Sequence, residues 1–272
     1  MSYLRLEKDA DGIVELIFDQ AGKSVNVMGE EYSEAMPRAL DELEAMRDEI
    51  KGVYVRSGKP GQFFAGGDVT AMLEMDLNPD DAERERMFNE LLKAKEPLAR
   101  LERLGVPVAV GINGAALGGG YEIALACHRR FALDDKSVKI GLPEAMLGLM
   151  PGAGGVVRMV RMLGMQDALT LISQGKQLNA TRALEQGLVH ELAGSEEEMA
   201  QKARAWILSH PEARQPWEEP GYSLPGGTPD DAATQGLTYF GPVNVMNQTR
   251  GNMTAPQVII AAVIDTARVD YD

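Results

Sequence analysis

Short apolar runs alternate with amphipathic segments along most of the chain. Residues 3–18 contain two apolar runs on either side of Asp11 and Gly12, which predicts two strands joined by a tight turn. Over residues 29–50 apolar side chains recur at helical spacing among many acids, which predicts an amphipathic helix. Residues 52–57 form an apolar run typical of a buried strand. The pattern therefore predicts a hairpin, a helix and a third strand, in that order.

The same alternation continues through the middle of the chain. The charged segment 76–103 is predicted to be helical, and the apolar run 106–112 to be a strand that stops at Asn113 and Gly114. The elements predicted next are a helix at 121–126, a short strand at 130–132, and helices at 154–163, 166–173 and 180–185. Alternating strands and helices of this kind predict an α/β fold.

The composition changes near Pro211. Prolines and glycines cluster between residues 216 and 229, which predicts an extended connector. Residues 255–269 are mainly apolar and predict a helix that needs a cover, supplied by the domain itself, a partner subunit or a downstream domain. We therefore predict a core domain over residues 1–195 and a C-terminal helical and extended region over residues 196–272.

Charge and composition exclude several classes of function. The 272 residues carry 27 basic and 41 acidic side chains, a formal charge of -14, which weighs against binding to nucleic acid or anionic lipid. No apolar run reaches the roughly 18 residues of a membrane span, and residues 1–12 lack an apolar signal core. We therefore expect a cytoplasmic protein with no membrane span.

The cysteine and histidine content argues against a metal or disulfide framework. Cys127 is the only cysteine, which excludes an intrachain disulfide and a thiolate cluster. His128, His190 and His210 lack the spacing of metal ligands, and we predict no metal site. Met72, Met75 and Met87 are candidates to line an apolar ligand pocket, although core packing is the commoner use of methionine.

Two glycine-rich turns follow predicted strands and lead into helices. The first has the sequence FAGGD and ends at Asp68, and the second has the sequence NGAALGGGYE and ends at Glu122. Amides at a helix N-terminus have no intrahelical partner, and glycine lets a ligand approach the backbone closely. One amide from each turn is therefore suited to binding a single oxygen on which negative charge develops.

Two glutamates follow these turns in positions suited to acid–base chemistry. Glu122 lies near the start of the helix after the second turn, and Glu144 lies in a loop just after a predicted strand. Two carboxylates held close together in a partly dry site push one pKa upward, so that one holds a proton while the other is ionised. Such a pair can orient a water molecule. The sequence alone leaves open which glutamate is the acid and which the base.

Four separated strings carry a family resemblance. They are FFAGGD, INGAALGGGYEIALAC, GLPEAMLGLMPGAGG and NATRALEQGLVHEL, found in this order within residues 10–195. These strings resemble the signature segments of the enoyl-CoA hydratase/isomerase (crotonase) superfamily. The resemblance implies an α/β fold in which ββα units repeat as a crotonase-like spiral, followed by C-terminal helices that often form trimers.

The resemblance also implies the roles of particular residues. The amides of Gly67 and Gly119 would form the oxyanion hole, and Glu122 and Glu144 would be catalytic. The sequence FAGGD would contact coenzyme A through Ala65, Gly66 and Asp68, with the Ala65 carbonyl near the adenine. Coenzyme A would be part of the substrate, and no separate cofactor is implied. Lys59 and Arg56 are candidates for the coenzyme A phosphates by position only.

The tail narrows the resemblance further. Residues 215–272 are similar to the segment that follows the N-terminal hydratase domain of multifunctional fatty-acid oxidation alpha subunits and leads to their dehydrogenase domain. This implies a hydratase that adds water to trans-2-enoyl-CoA in β-oxidation, as a homo-oligomer or as part of an oxidation complex. Two alternatives stay open: a Δ3-Δ2-enoyl-CoA isomerase, and a truncated acyl-CoA-binding domain with poor turnover.

Two positions depart from the family pattern. His128 stands where relatives usually have Asp after the helix that carries the first glutamate, and we expect it to be structural. Val156 and Val157 stand where Thr and Gln are common, which removes a hydroxyl group that would cap the start of a helix.

Overall fold

The apolar runs of the sequence pair as strands of a six-stranded sheet. The computed structural model describes residues 3–68 and 78–271. The strands of the large sheet are β1 (Leu4–Lys8), β2 (Ile13–Phe18), β3 (Gly52–Ser57), β5 (Val108–Ile112), β7 (Arg129–Leu133) and β9 (Glu191–Ala193). They lie side by side in this order. Only the first pair, the predicted hairpin, is antiparallel, and the other neighbours are parallel.

A second, three-stranded parallel sheet is built from short strands. They are β4 (Gln62–Phe64), β6 (Ala115–Leu117) and β8 (Lys139–Gly141). Each of them follows a strand of the large sheet after a short turn, so the chain passes repeatedly from the large sheet to the small one. This confirms the expected spiral of strand–strand–helix units. The small sheet places the ends of β4 and β6 side by side, with Phe64 opposite Ala116.

Helices surround the two sheets. They are α1 (Glu30–Ala45), α2 (Asp81–Glu102), α3 (Gly119–Leu125), α4 (Gly155–Leu163), α5 (Met165–Ser173), α6 (Ala180–Glu185), α7 (Glu196–Ser209), α8 (Gly241–Thr249) and α9 (Thr254–Thr266). The helices predicted at 154–163, 166–173 and 180–185 are confirmed as α4, α5 and α6, to within one residue at each end. The sequence pattern did not predict α8. Within the described residues, no helix is long and apolar enough to cross a membrane.

The last helix is covered by the chain itself. Ile259 and Val263 of α9 are fully buried, and α9 packs against α4, α5 and α8. The predicted connector near Pro211 contains turns and a short 3-10 helix, Pro216–Glu218, whose Trp217 side chain is buried. Of the three covers that the sequence allowed, the described structure shows the first. The boundary at residue 195 between a core and a C-terminal region stays a prediction.

An aromatic cluster fixes the start of the first glycine-rich turn. The Phe64 ring lies 5.4 Å from that of Phe18 on β2 and 6.1 Å from that of Tyr32 on α1, both edge to face. All three side chains are buried. Edge-to-face contacts add to the stabilisation from burial alone. The backbone that follows Phe64 therefore leaves β4 from an anchored position.

Candidate active site

The first glycine-rich turn, residues 65–68, is held by a neighbouring segment of backbone. The N–H of Met28 donates to the carbonyl oxygen of Gly66 at 2.8 Å, and the N–H of Asp68 donates to the carbonyl oxygen of Met28 at 3.1 Å. These bonds form an isolated parallel bridge between Met28 and Gly67. In such a bridge the N–H of the central residue points away from its neighbour. The Gly67 amide is therefore directed away from Met28 and is not used in holding the turn.

A buried asparagine that the sequence analysis missed supports this turn. The Asn26 side-chain nitrogen donates to the carbonyl oxygens of Phe18 and Phe63, at 3.2 and 2.9 Å, and its side-chain oxygen accepts from the N–H of Gln20. Its carbonyl oxygen accepts from the N–H of Ala65 at 2.9 Å. Asn26 thus ties β2 and β4 to the segment beside the turn. Nothing in the local pattern distinguishes it from a surface asparagine.

The second glycine-rich turn brings another amide to the same place. Gly118 has a φ of +53°, a conformation that favours glycine, and α3 begins at Gly119. The first N–H groups of a helix have no intrahelical partner. A Cβ atom on Gly119 would lie 3.1 Å from the Met28 sulfur. The Met28 residue that pairs with Gly67 therefore also contacts Gly119, so the two predicted oxyanion-hole residues lie on either side of it.

Glu122 is buried and held in one orientation by backbone amides. Its side chain projects from α3, and its Oε1 atom accepts hydrogen bonds from the N–H groups of Ala153 and Gly155, at 2.8 and 2.7 Å. Burial raises the pKa of the Glu122 carboxyl, while the two N–H donors and the Arg158 guanidinium oppose that rise. The carboxylate also caps the start of α4.

Glu144 lies in the 3-10 turn Pro143–Leu147 that follows β8. A Cβ atom on Gly118 would lie only 2.8 Å from the Glu144 Oε1 atom, so this carboxyl sits directly against the second glycine-rich turn. Its Oε2 atom is buried and has no hydrogen-bond partner among the described residues. Burial, followed by the negative charge of Glu122, raises the pKa of Glu144 to about 7.

The structure thus brings together the four groups that the sequence singled out. Gly67 and Gly119 flank Met28, and Glu144 contacts the turn that contains Gly118. Glu122 lies on α3, four residues after Gly118. The two carboxyls differ in what surrounds them. Glu122 accepts two N–H bonds that favour its ionised form, whereas Glu144 has an enclosed oxygen atom without a donor, which favours a bound proton. This arrangement can separate an acid from a base.

The other sequence candidates have mixed outcomes. Met72 and Met75 lie outside the described residues, and Met87 is half-buried on α2. The Lys59 ammonium donates to the Asp19 carboxylate, and the Arg56 guanidinium donates to the Glu15 carboxylate, so both cations are already paired. This pairing counts against their assignment to phosphate binding.

His128 is structural, as expected. The Nδ1 atom of His128 accepts a hydrogen bond from the N–H of Val108, and its Nε2 atom lies 2.9 Å from the carbonyl oxygen of Glu102. Burial lowers the pKa of the His128 side chain. This histidine therefore joins β5 to the end of α2.

Two cavities in the described part of the chain lie away from the carboxylate pair. One, of about 720 Å³, is bordered by His128, Arg161, Trp217 and Tyr271, and the other, of about 750 Å³, lies between α5 and α8. Neither is lined by Glu122 or Glu144. The candidate site is therefore defined by the glycine-rich turns and the carboxylates, and not by either of these two cavities.

The raised pKa of Glu144 has a consequence for stability. The native state retains the proton between pH 4.5, the ordinary value, and about 7, so the contribution of this group to stability is lost as pH rises through that range. Glu144→Gln stays neutral. At pH 8 we expect the variant to be more stable than the wild type by about 3 kcal/mol, with little difference at pH 4.5. Thermal unfolding at both pH values, with the exposed Glu42→Gln as control, tests this. Equal differences at the two pH values would contradict it.

The repeated strand–strand–helix units and the two sheets define a crotonase-like fold. The profile of the enoyl-CoA hydratase/isomerase family matches residues 9–213. The chain belongs to the enoyl-CoA hydratase/isomerase family.

Among the similar proteins are fatty acid oxidation complex alpha subunits. The chain is 41% identical over 187 residues to that of Idiomarina loihiensis, an alignment that covers 69% of this chain and 25% of the relative. It is 34% identical over 266 residues to that of Shewanella amazonensis, with 95% of this chain and 35% of the relative covered. The resemblance thus includes the C-terminal region. The chain spans about a quarter to a third of the length of these relatives.

Solved structures agree with the family and the fold. An enoyl-CoA hydratase of Geobacillus kaustophilus is 30% identical, with a TM-score of 0.68 over 77% of this chain and 75% of that one. An enoyl-CoA hydratase of Thermoplasma volcanium has a TM-score of 0.68 over 98% of this chain and 93% of that one, at 20% identity. The second likeness extends the fold agreement to the C-terminal helices.

Proposed function

We propose that this chain adds water to a trans-2-enoyl-CoA thioester to give the 3-hydroxyacyl-CoA, a step of fatty-acid β-oxidation. The observation that supports this most is the pair of enclosed carboxyls, Glu122 and Glu144, beside two glycine-rich turns. Hydration needs a base for water and an acid for the α-carbon, and the two glutamates differ in the way these roles require: Glu122 accepts two N–H bonds that favour its ionised form, whereas a buried oxygen atom of Glu144 has no donor. Membership of the family and the similarity to fatty acid oxidation alpha subunits support the same activity.

In the proposed reaction the two glutamates act in complementary roles. The Glu122 carboxylate takes a proton from water as the hydroxyl oxygen bonds to the β-carbon. The electron pair of the double bond moves toward the thioester carbonyl oxygen, where the Gly67 and Gly119 amides stabilise the negative charge. Glu144 then gives its proton to the α-carbon, which completes the addition. We also propose that Ala65, Gly66 and Asp68 contact the coenzyme A part of the substrate, with the Ala65 carbonyl near the adenine.

The direct test is turnover of crotonyl-CoA and of a longer 2-enoyl-CoA, followed by the loss of absorbance of the conjugated thioester. We expect turnover of at least one substrate. Folded protein that binds a saturated acyl-CoA in calorimetry but shows no loss of absorbance would support the binding-only alternative and reject hydration. The isomerase alternative needs a single carboxylate, and no observation in the described residues favours it.

The pH dependence of kcat/KM follows from the two glutamates. Activity needs an ionised Glu122, whose pKa burial raises, and a protonated Glu144, with a pKa of about 7. We expect a bell-shaped profile, with an acid limb above the ordinary glutamate range and a fall as pH rises through about 7. Initial rates with crotonyl-CoA between pH 4.5 and 9 measure it. A rate that stays constant from pH 6 to 9 would contradict the role of Glu144.

Assembly is a separate proposal. We propose that the chain works as a homo-oligomer, such as a trimer, or within a fatty-acid oxidation complex, as the names of its relatives suggest, and a cytoplasmic location stays a prediction. Light scattering of the purified chain at several concentrations tests the first arrangement. A monomer at all concentrations would reject the homo-oligomer and leave the complex.

A further inference from the structure

A fully buried ion pair lies behind the turn that holds Glu122. Glu102 ends α2 and Arg158 lies in the first turns of α4, and their side chains are 0% and 3% exposed. The Arg158 Nη2 atom donates to the Glu102 Oε2 atom at 2.8 Å, and its Nε atom lies 3.2 and 3.3 Å from the two carboxylate oxygens. The forked contact fixes the plane of the guanidinium group.

The other side of the guanidinium contacts the turn itself. The Arg158 Nη1 atom donates to the carbonyl oxygen of Ala153 at 3.1 Å. A Cβ atom on Gly154 would lie 2.3 Å from the same nitrogen, so the guanidinium packs directly on residues 153–155. The N–H groups of Ala153 and Gly155 are the two donors to Glu122. An unbroken series of contacts therefore runs from Glu102 through Arg158 and the turn to Glu122.

The Glu102 end of the series is fixed from two more directions. The Tyr271 hydroxyl, near the C-terminus, donates to the Glu102 Oε2 atom, and the His128 ring contacts the Glu102 carbonyl oxygen. Charges buried to this degree are costly unless fully paired, and a simpler apolar contact between α2 and α4 would avoid that cost. A role in fixing the turn explains why an ion pair stands here.

We propose that Glu102 and Arg158 are positioning residues for the proposed base Glu122. The pair holds the turn at residues 153–155 so that its two N–H groups orient the Glu122 carboxylate, and the Arg158 charge favours the ionised form of that carboxylate. The charged or titratable side chains that face Glu122 in the described structure are Arg158 from α4, Glu144 from the 3-10 turn and Tyr32 from α1. Arg158 is the only cation among these three. This inference rests on the proposed hydration.

The kinetic test separates two contributions of Arg158 to kcat, its positive charge and its forked hydrogen bonds. We expect Arg158→Lys, which keeps the charge but not the fork, to lower kcat for crotonyl-CoA about 10- to 100-fold with KM within about threefold. Arg158→Gln should lower kcat at least as much and also move the acid limb of the pH profile upward by about one pH unit. Glu102→Gln, which offers the guanidinium only one acceptor oxygen and leaves its charge unpaired, should lower kcat as Arg158→Lys does. The matched control is Arg204→Gln, which breaks an ion pair with Asp9. We expect this control to change neither kcat nor the acid limb of the pH profile.

A second readout does not depend on turnover. Carboxyl ¹³C NMR of protein labelled at glutamate follows the titration of Glu122 directly, and the Glu122 midpoint should rise in Arg158→Gln but not in Arg158→Lys. If the wild type has no hydratase activity yet this shift occurs, the proposed function fails and the positioning pair stands. If folded Arg158→Gln has a wild-type kcat and a wild-type Glu122 midpoint, the pair is structural only. If Arg158→Gln does not fold, an Arg158→Lys variant with unchanged kcat overturns the proposal.

Discussion

Glu144→Gln is expected to lower kcat for hydration of crotonyl-CoA about 10³-fold and to leave the binding of acyl-CoA nearly unchanged. General acid catalysis typically contributes 10²- to 10⁴-fold, and glutamine has no proton to give the α-carbon. Glutamine has the shape of the protonated acid that the pKa of about 7 favours in the free site at pH 6.5. The substrate site is therefore unchanged in size and charge. Initial rates give kcat, and calorimetry with butyryl-CoA gives Kd.

The control for this variant is Glu42→Gln, an exposed position on α1 that removes the same charge. We expect the control to retain the wild-type kcat. A kcat for Glu144→Gln within tenfold of the wild type would remove Glu144 from the role of acid. A Kd for butyryl-CoA weakened by more than about tenfold would show that Glu144 contributes to binding, and the loss of rate would then need another explanation.

The sequence could place these two glutamates because their signals are local. Glu122 follows a glycine-rich turn at the start of a helix, and Glu144 follows Pro143 after a short apolar run, and both features are readable in a few residues. The groups that tune them are not local. The two N–H donors to Glu122 lie 31 and 33 residues further along the chain, and a backbone amide leaves no signature in the choice of side chain.

Tertiary contacts also explain why the ion pair behind the site was missed. Glu102 ends a charged helix and is 56 residues from Arg158, so each looks like an ordinary solvated charge in its own segment. Of the short strands of the second sheet, the sequence predicted the one before Glu144, and β4 and β6 were missed for a related reason. Three residues are too few to show an alternating pattern, and β4, β6 and β8 exist because their backbones pair with one another. The long strands and the amphipathic helices carry their own pattern and were predicted.

Gly120→Ala is expected to damage both stability and catalysis. A Cβ atom at Gly120 would lie 2.5 Å from the carbonyl oxygen of Phe64 and 2.7 Å from the Phe64 Cβ atom. Alanine normally favours a helix over glycine by about 1 kcal/mol, but here α3 must move away from the end of β4. Overpacking of this kind costs about 1–3 kcal/mol. We therefore expect a lower midpoint of thermal unfolding.

The catalytic loss in Gly120→Ala follows from the direction of that movement. Gly119 precedes residue 120 and Gly67 follows Phe64 by three residues, so a shift of α3 from Phe64 separates the two proposed oxyanion amides. Loss of one such donor typically lowers kcat about 10²- to 10³-fold, and we expect a fall of about 10²-fold at a temperature where the variant is fully folded.

The control for Gly120→Ala is Gly236→Ala, where a Cβ atom would meet nothing within 4 Å and glycine has no positive φ. This substitution should leave kcat unchanged and the unfolding midpoint equal or higher, since alanine restricts the unfolded chain. A destabilised Gly120→Ala variant that keeps its wild-type kcat while folded would show that close packing of α3 on β4 serves the fold alone. A lower kcat with an unchanged KM would instead show that the variant has lost an interaction made only in the transition state. This is the result expected if the Gly67 and Gly119 amides no longer converge on the oxyanion.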